Sequence, residues 1–423
     1  PLYSSAASDV YKRQKGAQSV KRNLKIVLAC GNGTAGAFAP DLLRSLGCEV
    51  IELHCNLDFK FPNYNPNPED LTMLNDLAKN VKDNNADVGF AFDGDGDRLG
   101  VVDNEGNEIF SDKIGLMLAE YLSEKYSSSK FVIDVKSTGL FFNNEILKKN
   151  NCTVDMWKTG HSHMKRRVNE INALCGFEKS GHFFIGKPLG LGFDDGLRSA
   201  SMMIEYLDHY KNKSMSELYS KLNTSYQSPT MAPFCKDEEK YDVVDEITNK
   251  IIQDQKNKTK VADCEIVETN TVNGIRFSLS NGSWGLIRAS SNKPSLVIVI
   301  ESLISKEEVE MIESTIDEVA IDLIRRLVDI GIDINKKEFY GDLAMITELV
   351  RGLIYRDFKR EHLATVLIDK IIDIQYNERG EVQPVINYSR VLEQKDMPGQ
   401  EGEKEIHFEP DFDLPIPPED DDK

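Results

Sequence analysis

Residues 86–98 read ADVGFAFDGDGDR, an apolar run followed by three aspartates at alternate positions, with glycines between them and an arginine after them. Bounded by turn residues, ADVGFAF has the length and composition of a buried strand. That puts Asp93, Asp95 and Asp97 at its carboxyl end, where open α/β sheets bind ligands. Three converging carboxylates repel one another unless a cation neutralises them, and oxygen-only donors suit a hard ion such as Mg²⁺. The glycines let the backbone bend tightly enough for all three to turn inward. An EF-hand shares the DxDxD spacing, but it requires glycine sixth and glutamate twelfth, and Arg98 and Asn104 stand there. A solvated acidic turn explains one or two aspartates, not their alternation with glycine.

Upstream of this loop, KIVLAC (25–30) reads as a strand, GNGTAG as a turn, APDLLRSLG as a helix and CEVIEL as the next strand, a βαβ unit. Gly31, Gly33 and Gly36 match GxGxxG, with Glu52 ending the second strand, which is the outline of a dinucleotide site in an NAD-dependent enzyme. Any tight strand-to-helix turn favours glycine, so backbone geometry is the simpler reading. Downstream, Ile114, Leu118, Tyr121 and Leu122 recur at helical spacing and close a metal-binding α/β domain over 23–125. Residues 1–22 open with PLYSSAASDVYKRQ, which lacks the form of a signal peptide and resembles translated adapter sequence; they read as an unstructured or artefactual leader.

A second α/β domain is expected over 126–228. Its first strand, KFVIDVKST, carries Lys136 just past the apolar centre. MWKTGHSHMKRRV (156–168) sets His161 and His163 in a glycine-initiated loop before a helix. No third metal ligand follows at recognisable spacing, but a histidine there can donate to a phosphate or sugar oxygen, and Lys165 adds positive potential. Arg166 and Arg167 read as an exposed helix face. In GFEKSGHFFIGKPLGLGFDDG (176–196), Glu178, Ser180 and His182 alternate, so in extended conformation they project to one side. A carboxylate, a hydroxyl and an imidazole suit sugar hydroxyls, and the imidazole can move a proton near neutral pH. Asp194 or Asp195 would cap the helix that follows.

The third domain, 229–331, contains strands GIRFSL and GSWGLIRAS meeting at Asn281-Gly282, a hairpin signal. RASSNKP (288–294) then supplies Arg288, Ser290, Ser291, Asn292 and Lys293, a donor-rich loop without an acid that suits a phosphate dianion. Ser305 with Glu308 forms a capping box for a helix with Val309, Ile312, Ile316, Val319, Leu323 and Leu327 on one face. Over 332–395, the patterns Phe339, Leu343, Ile346, Val350, Leu353 and Leu363, Val366, Leu367, Ile371, Ile374 predict a helical extension, folded as a hairpin, whose partner is unknown. Residues 396–423 are rich in Pro, Gly, Asp and Glu and read as a disordered acidic tail.

The net charge of −19 argues against general nucleic-acid or anionic-membrane binding, so an anionic substrate must be held by locally concentrated Lys and Arg. No long apolar stretch suggests a membrane span. The seven cysteines are odd in number and contain no CxxC, which fits a reducing cytoplasm better than a disulfide framework.

Taken in order, these segments resemble the α-D-phosphohexomutase family, in particular its phosphomannomutase/phosphoglucomutase branch, across residues 23–331. DGDGDR is similar to the family's Mg²⁺ loop, GFEKSGH to its GExSGH sugar-binding loop, DVKST and KTGHSH to its third-domain loops, and RASSNKP to its fourth-domain phosphate loop. Lys179 in the GExSGH middle position and the departure of RASSNKP from the commoner SNTxP leave sugar preference open. The resemblance implies two consecutive phosphohexomutase-type α/β domains followed by a smaller α+β domain. It also implies interconversion of hexose 1-phosphate and hexose 6-phosphate through a phosphoserine and a hexose bisphosphate. Mg²⁺ would sit on Asp93, Asp95 and Asp97, with Arg98 stabilising negative charge. Glu178 and Ser180 would grip sugar hydroxyls, Lys136, His161 and His182 would contact substrate, and His182 would transfer a proton. Arg288, Ser290, Ser291, Asn292 and Lys293 would bind the phosphate that is not transferred. No segment resembles the family's serine loop, Thr-Ala-Ser-His-Asn-Pro, so the expectation is a chain without the first domain and with little mutase activity by itself. A non-catalytic sugar-phosphate binding module is the alternative.

Overall fold

The apolar run KIVLA requires cover on both faces and both edges, and it receives them as β1 (Lys25–Ala29), which is buried apart from Lys25. In the computed structural model, which describes residues 20–312 except 229 and 234, together with 372–376 and 382–386, β1 lies between two parallel neighbours. These are β2 (Glu49–Leu53) and β3 (Val88–Phe92). Antiparallel β4 (Leu99–Asp103) and β5 (Glu108–Ile109) complete the sheet in the order β2-β1-β3-β4-β5. Helix α1 (Ala39–Ser45) has proline in its first turn, and α2 (Leu71–Asn84) is capped by Asp70, which accepts from the amides of Thr72 and Met73. Met73, Leu74, Leu77 and Val81 form the buried stripe of α2, packed with Val27 and Ala29 of β1. Ordered contacts begin earlier than residue 23, because the Val20 amide donates to Leu46 O and the Lys21 and Arg22 amides donate to Asp208. The remainder of the expected leader lies outside the described residues.

Helix α3 (Ser111–Lys125) is buried along most of its length and serves both sheets. The second sheet repeats the first, with β6 (Lys130–Asp134) parallel to β7 (Thr153–Trp157) and β8 (Cys175–Phe177). Antiparallel β9 (Phe183–Ile185) and β10 (Phe193–Asp194) follow, in the order β10-β9-β8-β6-β7. Helices α4 (Glu145–Lys149), α5 (His161–Glu170), α6 (Gly196–His209) and α7 (Met215–Tyr219) belong to this layer. One apolar cluster contains Phe90 of the first sheet, Met117 of α3, Phe177 of the second and Met203 of α6, so the core is continuous across residues 125 and 126.

The third sheet is antiparallel throughout. It comprises β11 (Tyr226–Gln227), β12 (Lys260–Val261), β13 (Cys264–Asn270), β14 (Ile275–Leu279), β15 (Trp284–Ala289) and β16 (Leu296–Ser302), in the order β11-β16-β15-β14-β13-β12. The helix α8 (Lys240–Asn257) covers one face with Val243, Val244, Ile247 and Ile251, and a helix described over 306–312 adds Val309 and Ile312. Trp284, Leu286, Val297 and Val299 on the other face meet Val135 of the second domain. Only half of the expected capping box forms. Ser305 Oγ accepts from the Glu308 amide, but the Glu308 carboxylate is buried and taken by Asn281, Ser283 and Ser302.

The C-terminal unit contributes two described strands, β17 (Ile372–Tyr376) and β18 (Val382–Ile386), which pair antiparallel. Ile374 therefore lies in a strand, contrary to the helix expected through it. IDIQY alternates apolar and polar with a period of two, which a strand satisfies and a helix does not. The rest of the expected helical hairpin, the distal part of the helix after Ser305 and the acidic tail lie outside the described residues. Among the described residues, no helix is long and apolar enough to cross a membrane.

Candidate active site

The acidic loop leaves β3 at its carboxyl end, as its position in the sequence predicts. Asp93 shapes it: Oδ1 accepts from the Gly96 and Arg98 amides at 3.1 Å each, and Oδ2 takes Arg98 Nε at 2.7 Å. Arg98 is braced from the other side by Asn67 Oδ1 at 3.0 Å. Gly96, with φ +79, supplies the left-handed residue this tight loop needs. Each of the three aspartates offers a carboxylate oxygen, and these atoms lie within 4.8 Å of one another. Burial and the neighbouring Asp93 raise the Asp95 carboxyl above its ordinary range. Burial also lifts Asp97 to about 7, with Asp93, Asp95 and Asp194 adding to it against His182. Asp97 Oδ1 is buried and accepts no hydrogen bond. An all-oxygen set with excess negative charge and an unanswered buried oxygen fits a hard divalent cation.

The loop is joined directly to the GFEKSGH segment. Arg98 and His182 form an antiparallel bridge, and the Leu99 amide donates to Gly181 O at 3.0 Å. The segment is not extended as the alternation suggests. Gly181 takes φ +98, and the Glu178 amide donates to His182 O, so residues 178–182 turn tightly between β8 and β9. Convergence comes from this turn, in which Ser180 Oγ donates to Glu178 Oε2 at 3.0 Å. Glu178 Oε1 accepts from the amide of Gly160, the residue before α5, at 2.8 Å. Burial and then Asp134 raise the Glu178 carboxyl, against His182 and Lys136. Lys179 turns away from this group: its ammonium donates to Gln227 Oε1 and Ser228 O, and burial lowers its pKa.

His182 Nδ1 lies 3.3 Å from both Asp97 Oδ1 and Asp194 Oδ2, aligned for a hydrogen bond with neither. Burial opposes its charged form, yet the contact with Asp194 and the charges of Asp97 and Glu178 raise its pKa above the ordinary imidazole value. His161 begins α5 and stacks on His182 with centroids 6.2 Å apart. Lys165 Nζ reaches Asp194 Oδ1 at 2.8 Å. His163 is exposed, as is Arg166, while Arg167 is half-buried, paired with Asp155 and stacked on Trp157.

Lys136 is buried at the carboxyl end of β6, close enough to Glu178 to influence its titration. Arg288 ends up on the same side. Burial lowers its pKa, and the charges of Asp134 and Glu178 oppose that. Its Nη1 donates to Ala289 O and its buried Nε has no hydrogen-bond acceptor. Ser290 is buried, whereas Ser291, Asn292 and Lys293 are exposed at the loop tip. No hydrogen bond or ion pair links those three to the acidic loop among the described residues.

Residues 3–106 match a family model described as phosphoglucomutase/phosphomannomutase, alpha/beta/alpha domain II, and residues 110–226 match domain III of the same series. The chain belongs to the phosphohexomutase family. It is similar to the phosphomannomutase/phosphoglucomutase of Pseudomonas putida, 36% identical over 292 residues that cover 69% of this chain and 60% of that protein. A phosphoglucomutase of Neisseria meningitidis is also 36% identical, over 67% of this chain and 58% of the relative. Among solved structures, a phosphoglucomutase/phosphomannomutase family protein from Burkholderia thailandensis is similar, with TM-score 0.63 and 31% identity over 74% of this chain and 63% of that one. The chain thus spans about 60% of the length of the curated relatives it matches. The domain III match begins before α3, whereas the sequence pattern suggests a boundary after it.

Within this phosphohexomutase frame the GxGxxG pattern serves packing. A Cβ on Gly36 would lie 2.0 Å from Cys55 O, and Glu52 is paired with Arg44. Two residues with structural claims on the site escape sequence reasoning. Asp134, fully buried, accepts from Ser137 Oγ, Thr159 Oγ1 and the Lys179 amide, and so ties three site loops together. Asp194 gathers Lys165, His161 and His182. The doubled aspartate in FDDG is the one available signal: Asp195 caps α6, accepting from the Arg198 amide, and Asp194 is left to face the site.

Proposed function

We propose that this chain carries the sugar- and phosphate-binding part of a phosphohexomutase that interconverts hexose 1-phosphate and hexose 6-phosphate through a phosphoserine and a hexose bisphosphate. The observation that carries the reading is the bridge between Arg98 and His182, which holds the acidic loop against the Glu178–Ser180–His182 turn. Asp93, Asp95 and Asp97 would hold Mg²⁺, which when bound supplies positive charge to a transferring phosphoryl group. Arg98 braces that loop and adds positive charge beside it. Glu178 accepts from sugar hydroxyls while Ser180 both donates and accepts, a pair that serves a sugar in either orientation. His182, charged more readily than an ordinary imidazole, holds the proton exchanged with a sugar hydroxyl. Lys136 and His161 contact the substrate, and Arg288 with Ser290, Ser291, Asn292 and Lys293 binds the phosphate that stays in place.

Calorimetric titration of the chain with glucose 1-phosphate and mannose 1-phosphate tests this. Glu178→Gln should weaken binding at least about tenfold, by loss of charge-assisted hydrogen bonds. Unchanged affinity in the variant, or no binding of either sugar phosphate by the parent chain, overturns the reading. The chain alone should show little turnover of either compound, and turnover at ordinary enzyme rates would refute the dependence on a serine outside it.

A further inference from the structure

The stretch Val135–Gly139 carries Lys136, and the third sheet grips nearly every other residue in it. Arg276 of β14 donates from Nη1 to Val135 O at 2.7 Å and to Ser137 O at 2.8 Å, the two carbonyls on either side of Lys136. Glu301 of β16 accepts Thr138 Oγ1 at 2.7 Å through Oε1 and the Gly139 amide at 2.7 Å through Oε2. Trp284 of β15 links these two grips. The Arg276 guanidinium lies over its ring, 3.5 Å from the centroid, and its Nε1 donates to Glu301 Oε2 at 2.6 Å. Arg288, proposed above to bind phosphate, is on the same strand as Trp284. One buried cluster therefore fastens the Lys136 backbone to the sheet that bears Arg288.

We propose that Arg276 is a positioning residue: it sets the backbone on both sides of Lys136 and so couples docking of the phosphate-binding sheet to placement of the substrate lysine. The substrate role of Lys136 rests on the function proposed above, while the contact itself does not. Arginine suits the task because a planar guanidinium stacks on indole and donates along fixed directions at the same time, and an ammonium does neither. Burial lowers its pKa to about 10, against Glu301, Asp134 and Asp112, so it stays charged at neutral pH. Binding groups held to within a fraction of an ångström need this kind of support.

The test is trace acetylation of the folded chain with acetic anhydride, followed by peptide mass mapping and paired with titration of glucose 1-phosphate. Lys136 is 6% exposed and should react slowly. In Arg276→Gln its labelling should rise about tenfold relative to the exposed Lys79, by local opening of the loop. Lys179 and Lys240 are buried, and their ammonium groups bond outside residues 135–139, so they serve as references because general loosening would raise all three. Affinity for glucose 1-phosphate should fall about tenfold in step with Lys136 labelling. Arg276→Lys, which keeps the charge on a side chain one atom shorter, should shift both readouts in the same direction to a smaller extent, and it carries the test if the glutamine variant does not fold. Lys136 labelling that is unchanged, or that rises only together with Lys179 and Lys240, overturns the proposal. Selective labelling with a parent chain that binds no sugar phosphate supports the positioning contact and overturns the mutase reading instead.

Discussion

Glu301, at the junction between the second and third sheets, accepts five hydrogen bonds: from Lys113, Thr138 and Ser225 on one oxygen, and from Gly139 and Trp284 on the other. Asp97, in the acidic loop, has a buried oxygen that accepts none. Burial pushes both carboxyls toward the neutral form. At Glu301 the adjacent Lys113 ammonium and the donors around it win, and the group is held at about 2. At Asp97 burial and three neighbouring carboxylates win over His182, and the group rises to about 7. A charge that the protein answers from within belongs to the architecture. One left unanswered at the end of a strand marks where an outside cation is expected.

The comparison breaks most visibly at Glu301. Glu301→Gln leaves Lys113 buried without a counter-ion and should destabilise the chain by about 3–5 kcal/mol, read as the shift in its urea unfolding midpoint. The pH dependence carries the same information. The folded pKa of about 2 lies below the ordinary 4.5, so the folded state binds fewer protons here than the unfolded state does. The contribution of Glu301 is therefore full above about pH 4.5 and fades as pH falls toward 2. Between those values the parent chain should lose stability more steeply than Glu301→Gln, and parallel profiles would mean that the carboxylate does not anchor the junction.

The acidic loop should respond in the opposite direction. Asp97→Asn removes a repelling charge, so without Mg²⁺ the variant should melt no lower than the parent. Saturating MgCl₂ should stabilise the parent by about 2.7 kcal/mol at a hundredfold excess over its dissociation constant, and should leave Asp97→Asn nearly unmoved. A thermal melt with and without Mg²⁺ reads both halves. Equal increments in the two chains would remove Asp97 from the metal site.

The two regions also differ in how far they can be read without coordinates. The acidic triad is legible because its members are adjacent in the chain and chemically alike, and VGFAF announces the strand that presents them. Glu178, Ser180 and His182 are identifiable as a group, but their alternation suggests an extended strand where Gly181 at φ +98 makes a turn. The junction is illegible, since Lys113 meets Glu301 across 188 residues and Arg276 meets Ser137 across 139. Glu308 shows the same limit: three residues after Ser305 it spells a capping box, yet tertiary partners at Asn281, Ser283 and Ser302 claim its carboxylate.

The smallest expected effect compares the packing of the two regions with one methyl group each. A Cβ on Gly139 would lie 3.2 Å from Trp284 Cδ1 and Nε1 and 3.6 Å from Arg276 Nη2, against rigid groups held by their own hydrogen bonds. Gly139→Ala should cost about 1–2 kcal/mol, because the indole must shift while keeping its bond to Glu301. A Cβ on Gly94 in the acidic loop would meet only Pro66 Cγ at 3.6 Å and Phe61 Cζ at 3.9 Å, ordinary contact distances. Gly94→Ala should stay within about 0.5 kcal/mol of the parent in the absence of Mg²⁺. Chemical denaturation of both variants decides the point. If the two costs were equal, the junction would not be the more tightly built of the two regions, and the grip on Lys136 would lose its mechanical basis.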